Sequence, residues 1–153
     1  MKKRIFMLIT AALVMVFSFV LIACDSDTKD DPLTLTLTNY PSDLAPGQMI
    51  GASLLADSVT DPVPVAVGGM PVVDGTTATY TFYHPSSGSE MPDMTRPFTD
   101  AGSYFPAVAE VSLTNPTGSR TVHDFNGDKL VFSSSTPNHT VDFVSDFTVR
   151  TDN

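Results

Sequence analysis

The chain has 153 residues, with one cysteine, no tryptophan and twelve prolines, and it sets 8 Lys and Arg against 17 Asp and Glu for a formal net charge of −9. Such acidity excludes the electrostatic routes to nucleic acid and to anionic lipid headgroups, which both need clustered Lys and Arg. A single cysteine excludes an internal disulfide, so the folded part must stand on its hydrophobic core.

The chain opens with Lys2, Lys3 and Arg4. Ile5 to Ala23 then form an apolar run, interrupted only by Thr10 and Ser18. A basic start followed by an apolar stretch is the layout of an export leader. The run is 19 residues long, close to the roughly 20 that span a bilayer. An uncleaved transmembrane anchor and an ordinary secretory leader are therefore competing readings. The run Leu21-Ile22-Ala23-Cys24, at the very end of the apolar stretch, resembles the lipobox of bacterial lipoprotein precursors. That resemblance implies cleavage before Cys24 and lipidation on its sulfur, so that the cysteine carries two or three fatty chains of the palmitate kind in all. At about 0.8 kcal/mol per buried CH₂, such an anchor is effectively permanent. A thiol so used is lost to disulfide, metal and nucleophilic chemistry.

Three segments follow from this: a signal peptide over 1–23, the lipidated Cys24 with a flexible acidic tether over 24–32, and a domain over 33–153. Removing residues 1–23 from the 153 leaves 130, a common size for one domain. The leader takes three of the eight basic residues, so five face 17 acids and the mature net charge is −12. Asp25 to Asp31 holds four carboxylates and no apolar residue, and Pro32 closes it; such a stretch cannot bury enough surface to fold. Asp25 at the second mature position resembles an inner-membrane retention signal. Lys29-Asp30-Asp31 resembles a surface-export signal. The two point opposite ways. The expected address is the cell membrane or the outer membrane, with the domain outside the cytoplasm.

The mature chain reads as strands. Leu33 to Thr38 alternates apolar residues with threonine, the period of a half-buried strand. Asn39 to Asp43 is a turn cluster, and Gln48 to Ala56, apolar and short of charge, reads as a second strand, although its Ala and Leu would also suit a helix. Pro62 to Val67 reads as an edge strand, because proline cannot donate to a ladder. Asp74-Gly75 marks a hairpin, and Thr76 to Tyr83 puts Ala78, Tyr80 and Phe82 on one face. His84 to Asp100, with three prolines, reads as a long loop. Tyr104 to Thr114 gathers Phe105, Ala107, Ala109, Val111 and Leu113 on one face. Arg120 to Phe125 and Lys129 to Ser133 flank Asn126-Gly127, a strong hairpin signal. Thr140 to Arg150 puts Val141, Phe143, Phe147 and Val149 on one side of a last strand.

Regular short strands between Pro and Gly turns predict an all-β domain, a single antiparallel β-sandwich of about eight strands. Tyr80, Phe82, Phe105, Phe132, Phe143 and Phe147 are its expected core aromatics. The Leu-Thr-Leu-Thr opening, the stretch Asp74 to Phe82 and the run Pro97 to Tyr104 are similar to small Ig-like and transthyretin-like β-sandwich modules of bacterial lipoproteins. This implies a fold over about 33–114 and no activity.

Chemistry is thinly marked. His84, His123 and His139 are far apart and fit no zinc spacing; each is expected in a loop or at the surface. Asp124, Asn126 and Asp128 put oxygen side chains at alternate positions, a weak calcium candidate beside a plain Asn-Gly turn. No nucleophile elbow, P-loop or dinucleotide fingerprint is present. No metal or other cofactor is expected. Met91, Met94 and Phe98 in the 84–100 loop form the candidate binding surface, since methionine and aromatic side chains adapt to varied partners. They would otherwise fold back as a lid. The expected function is a membrane-anchored, non-enzymatic binding or structural module with a protein partner at the cell envelope and no nucleic-acid partner. The alternative is a small envelope hydrolase or carbohydrate-active module with an unrecognised carboxylate site.

Overall fold

The computed structural model describes residues 30–56, 63–87, 91–114 and 120–151. The chain divides into two units at Asp30/Asp31, and the second is the all-β domain. Among the described residues there is no helix and so none long and apolar enough to cross a membrane. The leader and the lipobox Leu21, Ile22, Ala23 and Cys24 lie outside the described residues.

Eleven strands run in chain order: β1 (Thr34–Thr38), β2 (Gln48–Leu55), β3 (Pro64–Gly68), β4 (Val72–Asp74), β5 (Thr77–Pro85), β6 (Pro92–Pro97), β7 (Gly102–Ser112), β8 (Thr121–Phe125), β9 (Leu130–Phe132), β10 (Asn138–Asp142) and β11 (Phe147–Thr151). Hydrogen bonding joins them in the order β10-β1-β5-β3-β2-β7-β8-β11. β4 and β6 are added on β5, and β9 on β7. All pairs are antiparallel except β1 with β10, which is parallel; the sheet is mixed. Its two ends, β10 and β11, are consecutive in the chain and separated only by the turn 143–146. Laid flat, eight strands at about 4.8 Å spacing would separate those ends by about 34 Å. The connection reaches at most about 18 Å. The sheet must therefore curl, and its concave side becomes the core.

β5 makes the bend. Its first half lies between β1 and β4, and its second half between β6 and β3. Leu33 just before β1, Leu35 and Leu37 from β1, Ile50, Ala52 and Leu54 from β2, and Ala78, Tyr80 and Phe82 from β5 are buried together with Phe132, Val141 and Phe147. This is the period-two pattern read from the sequence. The Asp74-Gly75 hairpin is present, with Gly75 at φ 59°, where a side chain is disfavoured.

Other expectations need correction. β3 is an interior strand between β2 and β5. Pro64 is its first residue, where a missing donor is tolerated. The stretch 84–100 is not a loop, because it contains β6. Asn126-Gly127 makes no hairpin: β8 and β9 both pair antiparallel with β7, one after the other, so residues 126–129 are a bulge in a single interrupted strand. The stretch 140–150 is two strands, parted by a turn in which the Asp142 carboxylate accepts the N–H groups of Val144 and Ser145.

The buried face of β7 is also the opposite of the one expected. Pro106 and Val108 point inward, while Phe105 and Ala107 point outward. The cause is its register with β2. Leu54 pairs with Pro106, Ala52 with Val108 and Ile50 with Glu110. From Ile50 to Leu54 the apolar residues of β2 lie on one parity, with Gly51 and Ser53 on the other, and the pairing imposes that choice on β7. Phe105 is covered instead by the Lys129 ammonium, 5.3 Å from its ring centroid.

Candidate functional site

The face choice of β7 brings Glu110 to the concave side at the end of the core. Val108 lies opposite His123 of β8, so Glu110 is the diagonal neighbour of His123. The His123 Nε2 and Glu110 Oε1 atoms are 3.0 Å apart. His123 is buried, contrary to the surface position expected, and its ring packs 4.7 Å from that of Phe143 in the β10–β11 turn. The pair joins β7 to β8 and is roofed by an aromatic ring. The sequence hides it, because Val122-His123-Asp124-Phe125 is purely apolar on neither parity.

The other histidines are distant. His84 stacks edge-on against Phe98 at 5.0 Å. His139 packs on Phe132 at 4.5 Å and donates from Nε2 to the Val131 carbonyl at 2.9 Å. Of the calcium candidates, Asp124 lies 3.6 Å from the Arg150 guanidinium, Asn126 accepts the Thr148 hydroxyl, and Asp128 is exposed. No group of three or more His, Cys, Asp or Glu among the described residues is placed to hold a metal ion.

The candidate binding residues part company. Phe98 is only 3 % exposed and belongs to the core rather than to a surface. Its N–H donates to the Phe82 carbonyl and its own carbonyl accepts from Leu33, so it stitches β5 to the start of β1. Met91 and Met94 are exposed. Two residues that sequence reasoning missed are exposed as well: Met70 (78 % exposed) in the connection from β3 to β4, and Val72 in β4 itself. Val72 pairs with Thr79 of β5, so it shares the outer face with Tyr83. Met94 crosses that face from β6. A Cβ added to the buried Gly69 would lie 3.0 Å from the Tyr83 ring, 3.3 Å from the Met94 methyl and 3.4 Å from its sulfur. Glycine is therefore what lets Met94 and Tyr83 close over the β3–β4 link. The signal in the sequence was the Gly68-Gly69 pair just after the strand over 62–67.

β6 owes its irregular course to its own side chains. The Asp93 carboxylate accepts both the hydroxyl and the N–H of Thr95, at 2.7 and 3.1 Å. These bonds hold its carboxyl below the usual range. The local loop puckers the strand between its pairings at Pro92 and Pro97. The result is an outward apolar and thioether surface on the edge of the sheet. Comparison with protein-family models, with curated proteins and with solved structures found no match to this chain.

Proposed function

We propose that this chain is a lipid-anchored cell-envelope protein, held to the cell membrane or the outer membrane through Cys24, and that its domain is a β-sandwich acting as a non-enzymatic binding module for a protein partner. The observation that carries the binding role is the exposure of Met70, Val72, Met91 and Met94, with Met94 packed beside Tyr83. Unbranched thioether side chains repack against varied apolar surfaces. A single exposed apolar residue needs no such reading, but several on the strands and links that flank β5 favour contact with a partner. The anchoring role rests on the fit of Leu21-Ile22-Ala23-Cys24 to the lipobox. The strand Thr77–Pro85, which changes partners midway, supports two packed layers.

The test is photo-cross-linking in intact cells from residue 94, read by mass spectrometry, alongside Cys24→Ala. The expected results are a discrete cross-linked protein and loss of acylation with release from the membrane. No protein cross-link from 94, with strong ones from the opposite face at residue 149, would defeat the surface assignment. Unchanged processing and retention of Cys24→Ala would defeat the anchor.

A further inference from the structure

β6 is an unusually weak strand. Three of its four paired positions on β5 and β6 are prolines: Pro85 faces Pro92, and Tyr83 faces Pro97. None of these prolines has an N–H to donate. Outside the ladder, the strand is tied at its ends by Ser86 N–H to the Met91 carbonyl at 2.8 Å and by Phe98 N–H to the Phe82 carbonyl at 2.9 Å. Among the described residues β5 is its one strand neighbour. Between the ties, the Met94 side chain reaches across Tyr83 onto Gly69, yet it is 56 % exposed.

From this we infer that Met94 is an oxidation-sensitive clasp: a peroxide converts its sulfur to the sulfoxide and thereby frees β6 from the β3–β4 link. In the reaction a lone pair on the thioether sulfur attacks one peroxide oxygen. The O–O bond breaks, an S–O bond forms, sulfur is oxidised by two electrons, and hydrogen peroxide leaves as water. The product is a polar, chiral group that no longer suits the apolar cleft of Gly69 and Tyr83. With its ladder short of donors, β6 has little else to hold its centre. Met70 and Met91 are also exposed and serve as internal references for the oxidation. The clasp acts within the domain, whatever docks on it.

The experiment uses the full-length chain in peroxide-free detergent, treated with hydrogen peroxide. Peptide mass mapping follows sulfoxide at Met49, Met70, Met91 and Met94, and hydrogen exchange follows the amides of residues 93–96. Once Met94 is oxidised, those amides should exchange about tenfold faster or more. Met94→Leu keeps an apolar clasp of similar size and should show no acceleration under the same treatment. Reduction by the two methionine sulfoxide reductases should restore protection in the wild-type chain. Three results would overturn the inference: Met94 staying reduced while Met70 and Met91 convert fully, exchange unchanged with Met94 oxidised, or equal acceleration in Met94→Leu.

Discussion

The Tyr80 hydroxyl donates to the backbone carbonyl of Ile50 at 2.8 Å, inside the core. β3 accompanies β2 only along Ser53–Leu55, so among the described residues β2 has no strand on that side at Ile50. A side chain from β5 supplies the donor where the sheet opens. Burial, and the Tyr40 hydroxyl beside it, hold the Tyr80 phenol protonated far above the usual tyrosine range. The group is therefore a permanent donor. Tyr80→Phe keeps the ring and removes the bond. It should cost about 1–3 kcal/mol, the penalty for a buried carbonyl deprived of its partner. Urea unfolding should show a lower midpoint at unchanged slope.

The Glu110–His123 pair gives a graded test. Glu110→Ala leaves a buried ring nitrogen without its acceptor and should lose about 1–3 kcal/mol. Glu110→Gln can still hydrogen-bond and should lose less. Chemical denaturation of both variants measures the difference. Equal losses would mean that the contact contributes nothing specific.

Asp142 sets a pH dependence. Its carboxyl is held below the usual range by the N–H groups of Ser145 and Val144, with Asn39 adding a further bond. A depressed folded-state pKa means that the charged form stabilises the fold above the ordinary carboxylate range. That contribution is lost as pH falls through the lowered value. Asp142→Asn should therefore melt below the wild type at neutral pH, and the gap should close in strong acid. Thermal melts at both extremes decide it.

The choice of face on β7 is tested by two substitutions close in sequence. Val108→Ser removes a side chain that is 1 % exposed and puts a hydroxyl in the core, so it should cost a few kcal/mol. Leu113→Ser, at 63 % exposed, should stay within about 0.5 kcal/mol. The opposite ranking would restore the face that the sequence pattern favours.

β1 and the Ala78–Phe82 stretch of β5 were legible because their apolar residues keep to one parity; β2, with Met49 and Leu55 off the parity of Ile50 and Leu54, was legible only as an uncharged apolar run. β7 was not, because Phe105, Ala107, Ala109 and Val111 look like a core face until the register with β2 sets the choice. β6 was hidden by prolines and by the Asp93–Thr95 loop, both of which read as irregular backbone. Asn126-Gly127 was misread because the same dipeptide serves a hairpin or a bulge, and only the partner strand distinguishes them. Phe143 kept an alternation running through what is a turn. The exposed methionine pair Met91 and Met94 was visible in the sequence, but Gly69 reaches Met94 only through the fold, as Glu110 reaches His123.

The parallel pairing of β1 with β10 has a consequence for how the molecule is made. Thr34 lies beside Asn138, 104 residues later. As the chain is made from its N-terminus, β1 keeps one bare backbone edge until β10 has been synthesised. An open edge of this kind recruits any strand it meets. A chain halted or clipped before residue 138 therefore carries a ready template for misassembly, whereas a chain that includes β10 covers that edge itself.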